Sequence, residues 1–161
     1  CQYPRMKAPV KEMSSLFVYG TLMAPQVIET LIDRLPSHTS AILKSGYRRH
    51  PVRNYAFPGL IPAVSSSISM PITGVLYRGV TEPELMRLDR FEGDEYRKQT
   101  CTVEVADGKH DAQVYVWANP ESELDISKPW SYENFRTKDL EIYLDQVVRP
   151  CRTELDRIMK S

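Results

Sequence analysis

The run Leu16-Phe17-Val18-Tyr19-Gly20-Thr21-Leu22-Met23 constrains this chain more than any other stretch. Leu16 to Tyr19 is apolar or aromatic at every position, the pattern of a buried strand. Gly20 stops it, because glycine accepts backbone angles that other residues avoid and lets another group come close to the main chain. Pro25 then opens Gln26-Val27-Ile28-Glu29-Thr30-Leu31-Ile32, in which apolar residues recur at helical spacing. A proline near a helix start costs little, since its missing N–H would have no intrahelical partner. Strand, glycine turn and helix in that order leave N–H groups unpaired where the strand ends, a place suited to a carboxylate. An ordinary strand–turn–helix junction accounts for the same pattern, so the turn alone assigns no function.

Beyond this opening, the chain reads as a mixture of strands and helices. Leu35-Pro36-Ser37 breaks the first helix, and Ala41 to Arg48 reads as a second strand running into a turn. Arg48 to Val64 carries so many prolines that an ordered loop is expected, with a short strand near Ile61 to Val64. Ser65 to Pro71 reads as a surface turn. Ile72 to Val80 is a strand, in which Gly74 marks a bulge or a close backbone approach. Thr81 then caps a helix, with Glu84 completing a capping box and Pro83 in the first turn. That helix runs to Phe91 or Glu92 and Gly93 ends it. Tyr96 to Val105 and Ala112 to Trp117 form a hairpin with Asp107-Gly108 at the centre of its turn. After a polar loop from Asn119 to Pro129, Ser131 caps a long amphipathic helix with Leu140, Tyr143, Leu144, Val147 and Val148 along one stripe. Pro150 is expected to kink or break it. The order fits an α+β fold, a small mixed β-barrel or curved sheet flanked by helices.

A chain of 161 residues reads as one domain with a single core. We divide it into an N-terminal arm (1–15), a domain (16–149) and a C-terminal helical extension (150–161). Basic and acidic residues balance at 21 each, which argues against an electrostatic nucleic-acid binder. No apolar run approaches a membrane span, and no secretory signal pattern opens the sequence. Cys1, Cys101 and Cys151 are too few and too scattered for a disulfide framework or a zinc site. Reduced thiols and a cytoplasmic location, with no nucleic-acid or membrane partner, are therefore expected.

Among residues able to carry chemistry, Glu92 stands out. In a helix it falls within roughly 40° of both Leu85 and Leu88, at about 100° per residue. A carboxylate on the core-facing stripe is desolvated, which raises its pKa toward the range an acid/base needs near neutral pH. A helix-end residue paired with an arginine, or frayed into water, is the alternative. Asp94 and Glu95, past the glycine, are expected to face solvent. Cys101 alternates in a strand and reads as a packing residue. His38, His50 and His110 are isolated, with no metal-ligand spacing. Arg48, Arg49, His50 and Arg53 make a basic cluster whose default is a solvated loop, although Arg53 could recognise an anionic group.

Several stretches, taken in order, resemble the gamma-glutamylcyclotransferase-like superfamily. Tyr19-Gly20-Thr21-Leu22 is similar to its signature at the end of an N-terminal strand. Leu88-Asp89-Arg90-Phe91-Glu92-Gly93 with Glu95-Tyr96-Arg97 is similar to the segment holding its catalytic glutamate, and the match falls on Glu92. Gly46-Tyr47-Arg48, Val52-Arg53, Tyr55, Phe57-Pro58 and Pro62 resemble its central loop. Tyr115-Val116-Trp117 followed by Trp130-Ser131 resembles the ending of its avirulence-induced plant branch and related fungal and bacterial members. The arm and the segment past Pro150 lie outside that shared core.

The resemblance implies an intramolecular aminolysis in which a γ-glutamyl amine or peptide closes to 5-oxoproline and releases an amine. Glu92 would be the catalytic acid/base, and backbone N–H groups from Tyr19, Gly20, Thr21 and Leu22 would hold the substrate carboxylate. Arg53 would contact an anionic group, with Tyr55, Tyr96 and Trp117 walling the pocket. No metal and no organic cofactor is implied, and the partner is a small amine-bearing metabolite. Another lyase or acyl-transfer reaction on the same fold, or a non-catalytic binding protein, are the alternatives.

Overall fold

In the computed structural model, which describes residues 13–63 and 70–159, the first strand is covered on both faces. This strand, β1 (Ser14–Val18), directs Phe17 into one apolar cluster and Leu16 and Val18 into another. From Leu16 to Val18 its sequence is continuously apolar rather than alternating, because neither face meets water there. Of the expected arm, residues 1–12 lie outside the described residues, and Ser14 and Ser15 belong to β1. The expected surface turn lies outside them over residues 64–69.

Six more strands follow: β2 (His38–Leu43), β3 (Tyr47–Pro51), β4 (Pro58–Pro62), β5 (Ile72–Val80), β6 (Tyr96–Val105) and β7 (Gly108–Trp117). Four of them close a barrel with β1, in the order β1-β5-β2-β6-β7. All of its neighbours are antiparallel except β1 and β7, which pair in parallel at Leu16 and Gln113. Phe17, Ala41, Leu43, Ile72, Leu76, Val103, Val114 and Val116 fill the interior. Full burial of each large aliphatic or aromatic side chain contributes about 1.5–3 kcal/mol. Gly74 is required where it stands: a Cβ there would lie 2.2 Å from the Val18 carbonyl oxygen and 2.8 Å from the Phe17 ring.

The helices pack outside the barrel. The first, α1 (Pro25–Ile32), buries Val27, Ile28, Leu31 and Ile32, and Asp33 ends it in the left-handed region at φ 62°. The second, α2 (Glu82–Glu92), begins with the full capping box: Thr81 Oγ1 accepts from Glu84 N–H, and the Glu84 carboxylate accepts from Thr81 N–H. A C-terminal helix runs over residues 132–159, started by Ser131, whose side chain accepts from Asn134 N–H at 3.2 Å. Leu140, Tyr143, Leu144, Val148 and Leu155 press its buried stripe onto the barrel and α1. No helix among the described residues is long and apolar enough to cross a membrane.

Three expectations need correction. Pro150 does not break the last helix, because Leu144–Val148 is π-helical and Arg149–Met159 continues as α-helix through the proline. A π-helical turn displaces the regular bonding ladder, so a residue without an N–H can follow it at lower cost. Where a loop with one strand is expected from Arg48 onward, Tyr47–Pro62 is instead a two-stranded ribbon, β3 against β4. Its prolines sit at the ribbon's ends, where Pro51 faces Pro58 and Tyr47 faces Pro62. Outward-facing positions of a two-stranded ribbon need no N–H, so the ladder survives them. Finally, β7 starts at Gly108, which pairs with Val105, so Ala106-Asp107 forms the hairpin turn.

Candidate functional site

At one end of the barrel lies a cavity of about 550 Å³, lined by several separate parts of the chain. The turn after β1 supplies Tyr19 to Leu22, the ribbon supplies Val52, Tyr55, Phe57 and Pro58, and the end of α2 with the turn after it supplies Arg90 to Gly93 and Glu95. Tyr96, Tyr115 and Trp117 come from β6 and β7, and Tyr143 and Val147 from the C-terminal helix.

The turn is shaped by a close approach. A Cβ on Gly20 would lie 2.9 Å from two ring carbons of Pro58, so glycine is what lets the ribbon close against the strand end. Thr21–Met23 then form a single 3-10 turn, with Met23 N–H donating to Gly20 C=O at 3.0 Å and Ala24 N–H to Thr21 C=O at 3.1 Å. The N–H groups of Thr21 and Leu22 precede the first intrahelical donor and have no acceptor within that turn. Pro58 is held from its other side, since Tyr96 Oη donates to its carbonyl at 2.7 Å.

Glu92, the last residue of α2, contributes to the cavity wall. Although part of its surface is open to the cavity, surrounding protein desolvates the carboxylate and pushes its pKa up to about 8; the charges of Glu95 and Asp89 add to the rise. Among the described residues, no lysine, arginine or histidine forms an ion pair with it. The alternative of a structural pair with a neighbouring arginine therefore fails: Arg87 reaches Asp156 at 3.0 Å instead.

Four tyrosines surround this carboxylate. Burial raises the pKa of Tyr19, Tyr96, Tyr115 and Tyr143, and the charge of Glu92 raises each of them further. All four therefore remain neutral hydroxyls. Tyr19 Oη donates to the Tyr115 carbonyl at 2.6 Å, and Thr21 Oγ1 lies 3.3 Å from Tyr143 Oη. Tyr115 Oη donates to Asp89 Oδ1 at 2.7 Å, and Lys98 Nζ donates to the other oxygen of Asp89 at 2.9 Å. One carboxylate of α2 is thus paired, while another, one turn later, is unpaired among the described residues and desolvated by the surrounding protein.

Of the residues singled out in the sequence, Glu92, Tyr19, Gly20, Thr21, Leu22, Tyr55, Tyr96 and Trp117 all line this cavity. Arg53 does not. Its Nε donates to the Ser122 carbonyl at 3.1 Å and its N–H to the Glu123 carbonyl at 2.8 Å, which ties the ribbon tip to the loop after β7. Glu95, expected to face solvent alone, is exposed but also lines the cavity beside Glu92. Tyr115, Tyr143 and Asn119 were missed. Tyr115 could have been found, because strand alternation puts it on the same face as Trp117, two residues on. Tyr143 reads only as part of a helix stripe. Cys101 is buried in the barrel and its thiol is pushed up to about 11 by burial, as suits a packing residue.

Residues 16–134 match the family described as gamma-glutamyl cyclotransferase, AIG2-like. The chain belongs to this family. It is 35% identical over 136 residues to AIG2-like protein C of Arabidopsis thaliana, covering 83% of this chain and 76% of that one. A solution structure from Arabidopsis thaliana superposes with a TM-score of 0.62 at 25% identity, covering 93% of this chain and 88% of the other. An AIG2-like protein from Mus musculus has the same fold, with a TM-score of 0.58 at 17% identity over 74% of this chain and 86% of that one. The barrel and its flanking helices are thus those of the gamma-glutamylcyclotransferase fold.

Proposed function

We propose that this family member is a cyclotransferase that closes the γ-glutamyl group of a small amine or peptide into 5-oxoproline. The observation that carries the reading is Glu92, an unpaired and desolvated carboxyl on the wall of a substrate-sized cavity, with its pKa near 8. The reaction is an attack by the substrate's free α-amine on its own side-chain carbonyl carbon. Both reacting groups belong to one molecule, so proximity comes with the substrate and the protein has to fix its conformation.

Two protons remain to be moved. Glu92 in its carboxylate form takes a proton from the α-ammonium, and the freed nitrogen forms the new C–N bond. The resulting tetrahedral centre collapses as the old C–N bond breaks and the protonated Glu92 gives its proton to the departing nitrogen; the carboxylate so restored takes the second proton from the ring nitrogen and passes it to the released amine, which leaves as an ammonium. One carboxyl therefore serves in turn as base and acid, and it ends in the state in which it began. A pKa near 8 lies between the two tasks, whereas an ordinary carboxylate would be too weak a base for an ammonium. The N–H groups of the Gly20 turn are available for the substrate carboxylate, and Tyr96, Trp117 and Phe57 give the methylene chain an apolar wall.

The test is incubation with a panel of γ-glutamyl amines and γ-glutamyl dipeptides, followed by measurement of 5-oxoproline. Release of 5-oxoproline from at least one member, stoichiometric with free amine, is expected. If the whole panel stays intact, the cyclotransferase reading falls.

A further inference from the structure

Arg49 is the one residue of the basic stretch on β3 whose guanidinium reaches the strand-end turn. Its Nη1 donates to the Tyr19 carbonyl at 2.8 Å and to the Thr73 carbonyl at 3.2 Å. The guanidinium also lies over the Trp130 ring, 5.4 Å from its centroid. Among the described residues it forms no ion pair, and burial lowers its pKa. A desolvated cation given to two carbonyls and an aromatic face, with no carboxylate, needs an explanation, since pairing would be the cheaper arrangement.

We propose that Arg49 is a positioning residue for substrate binding: by holding the Tyr19 carbonyl it fixes the Tyr19–Gly20 peptide so that Gly20 N–H faces the cavity to receive the substrate's α-carboxylate. The C=O and N–H of a trans peptide point in opposite directions. Arg49 and its other contacts, Thr73 and Trp130, lie away from the cavity wall, whereas Gly20 is part of it. Clamping the oxygen on one side therefore sets the direction of the hydrogen on the other. A charged donor on the oxygen also polarises the amide and makes its N–H a stronger donor to an anion. Gly20 has no side chain to fix this peptide plane, so the restraint has to come from elsewhere. Its neighbours are held in the same manner: Tyr77 Oη donates to the Leu22 carbonyl at 3.1 Å, and Met23 N–H takes the Gly20 carbonyl.

The inference rests on the carboxylate-binding part of the cyclotransferase reading but needs no turnover to be tested. The probes are 5-oxoproline and 2-pyrrolidinone, the same ring with and without the carboxylate, titrated into ¹⁵N-labelled protein by NMR. In the wild type, 5-oxoproline should shift the Gly20 amide resonance, and 2-pyrrolidinone should bind more weakly and leave that resonance in place. Arg49→Met should weaken 5-oxoproline by about 10-fold, the usual worth of a charge-assisted contact, and leave 2-pyrrolidinone within about twofold. Arg49→Lys keeps the charge and one donor, so it should recover part of the loss; it also serves if the Met variant does not fold. A purely structural arginine would change both ligands alike and show no dependence on the carboxylate. Equal weakening of the two, unchanged 5-oxoproline binding in both variants, or a wild-type Gly20 amide that ignores 5-oxoproline would each overturn the proposal. An intact substrate panel alongside carboxylate-selective, Arg49-dependent binding would sink the catalytic reading and leave this one standing.

Discussion

Two places where α2 meets its surroundings handle carboxylates in opposite ways. Where α2 and the C-terminal helix meet α1, arginines and carboxylates are paired. Arg152 donates to both oxygens of Asp33, at 2.6 and 2.7 Å, to Asp156 at 2.9 Å and to the Thr30 carbonyl at 2.8 Å. Arg87 adds a bond to Asp156 at 3.0 Å and another to the Leu31 carbonyl at 2.6 Å. Hydrogen bonds from Arg152 hold the carboxyls of Asp33 and Asp156 below the usual range. Five residues along from Arg87 on the same helix, Glu92 has no cation and is driven the other way by desolvation. The clasp joins three helices, whereas the unpaired acid contributes nothing to holding the fold. The difference separates charges that hold the architecture from one that the proposed reaction would use for proton transfer.

Removing Glu92 gives the largest expected effect. With whichever substrate the panel identifies, Glu92→Gln should lose about 10²–10⁴-fold in turnover, the usual worth of an acid/base group. Glutamine keeps the size and removes the exchangeable proton. Near-normal turnover in this variant, read from the rate of 5-oxoproline release, would erase the contrast between the two regions.

The same substitution should stabilise the protein, with a defined pH dependence. Below about pH 4.5 Glu92 is protonated in folded and unfolded chains alike, so its ionisation adds nothing. Between there and about pH 8 the unfolded chain has lost this proton while the folded one retains it, so native stability falls as pH rises. Above about pH 8 the full cost is present. Glu92→Gln should therefore gain on the order of 1–3 kcal/mol at pH 8 over wild type, after allowance for partial exposure, and gain nothing at pH 4. Denaturant titrations at the two pH values measure this. A variant destabilised at pH 8 would mean that Glu92 has a structural partner.

Breaking the clasp should do the reverse. Arg152→Met removes its bonds to Asp33, Asp156 and Thr30 but touches nothing in the cavity. Because the pairs are largely solvent-screened, Tm should drop by only about 2–5 °C. The kcat of the folded enzyme should stay within about twofold. A collapse in kcat without a change in Tm would show that the clasp also serves the site.

Much of this arrangement was legible in the sequence because local rules and tertiary packing agree. The Thr81–Glu84 capping box, Pro25 at a helix start and the apolar run of β1 each have one low-energy solution. Glu92 was legible by angle alone, since it shares a face with Leu88. The ribbon was not, because Pro51, Pro58 and Pro62 argue against strands unless one knows that their N–H positions face outward. The ion clasp was not either. Asp33 and Arg152 are 119 positions apart, and nothing local tells a paired charge from a solvated one. The placement of Arg53 failed for a similar reason: a carbonyl in a distant loop took the guanidinium.

The finest test concerns how the unpaired carboxyl is tuned. Glu95 and Asp89 both raise the pKa of Glu92, but they are not equivalent neighbours. Asp89 is bonded to Lys98 and Tyr115, so its field at Glu92 is partly offset; Glu95 has no such partner among the described residues and is the larger of the two influences. In the proposed reaction the base form of Glu92 takes the first proton, so kcat/KM should rise with pH along a limb set by the free-enzyme pKa. Glu95→Gln removes a negative charge that disfavours the carboxylate, so the limb should move to lower pH, by less than about one unit for a solvent-exposed neighbour. Lys98→Met leaves Asp89 uncompensated and should move the limb the other way. The substrate ammonium is the same in every profile and drops out of the comparison. Plateau rates and Tm of Glu95→Gln should match wild type, because this residue holds no ion pair. Limbs that coincide across all three proteins would mean that desolvation alone sets the acidity of Glu92, and that its charged neighbours on α2 and the adjoining turn are bystanders.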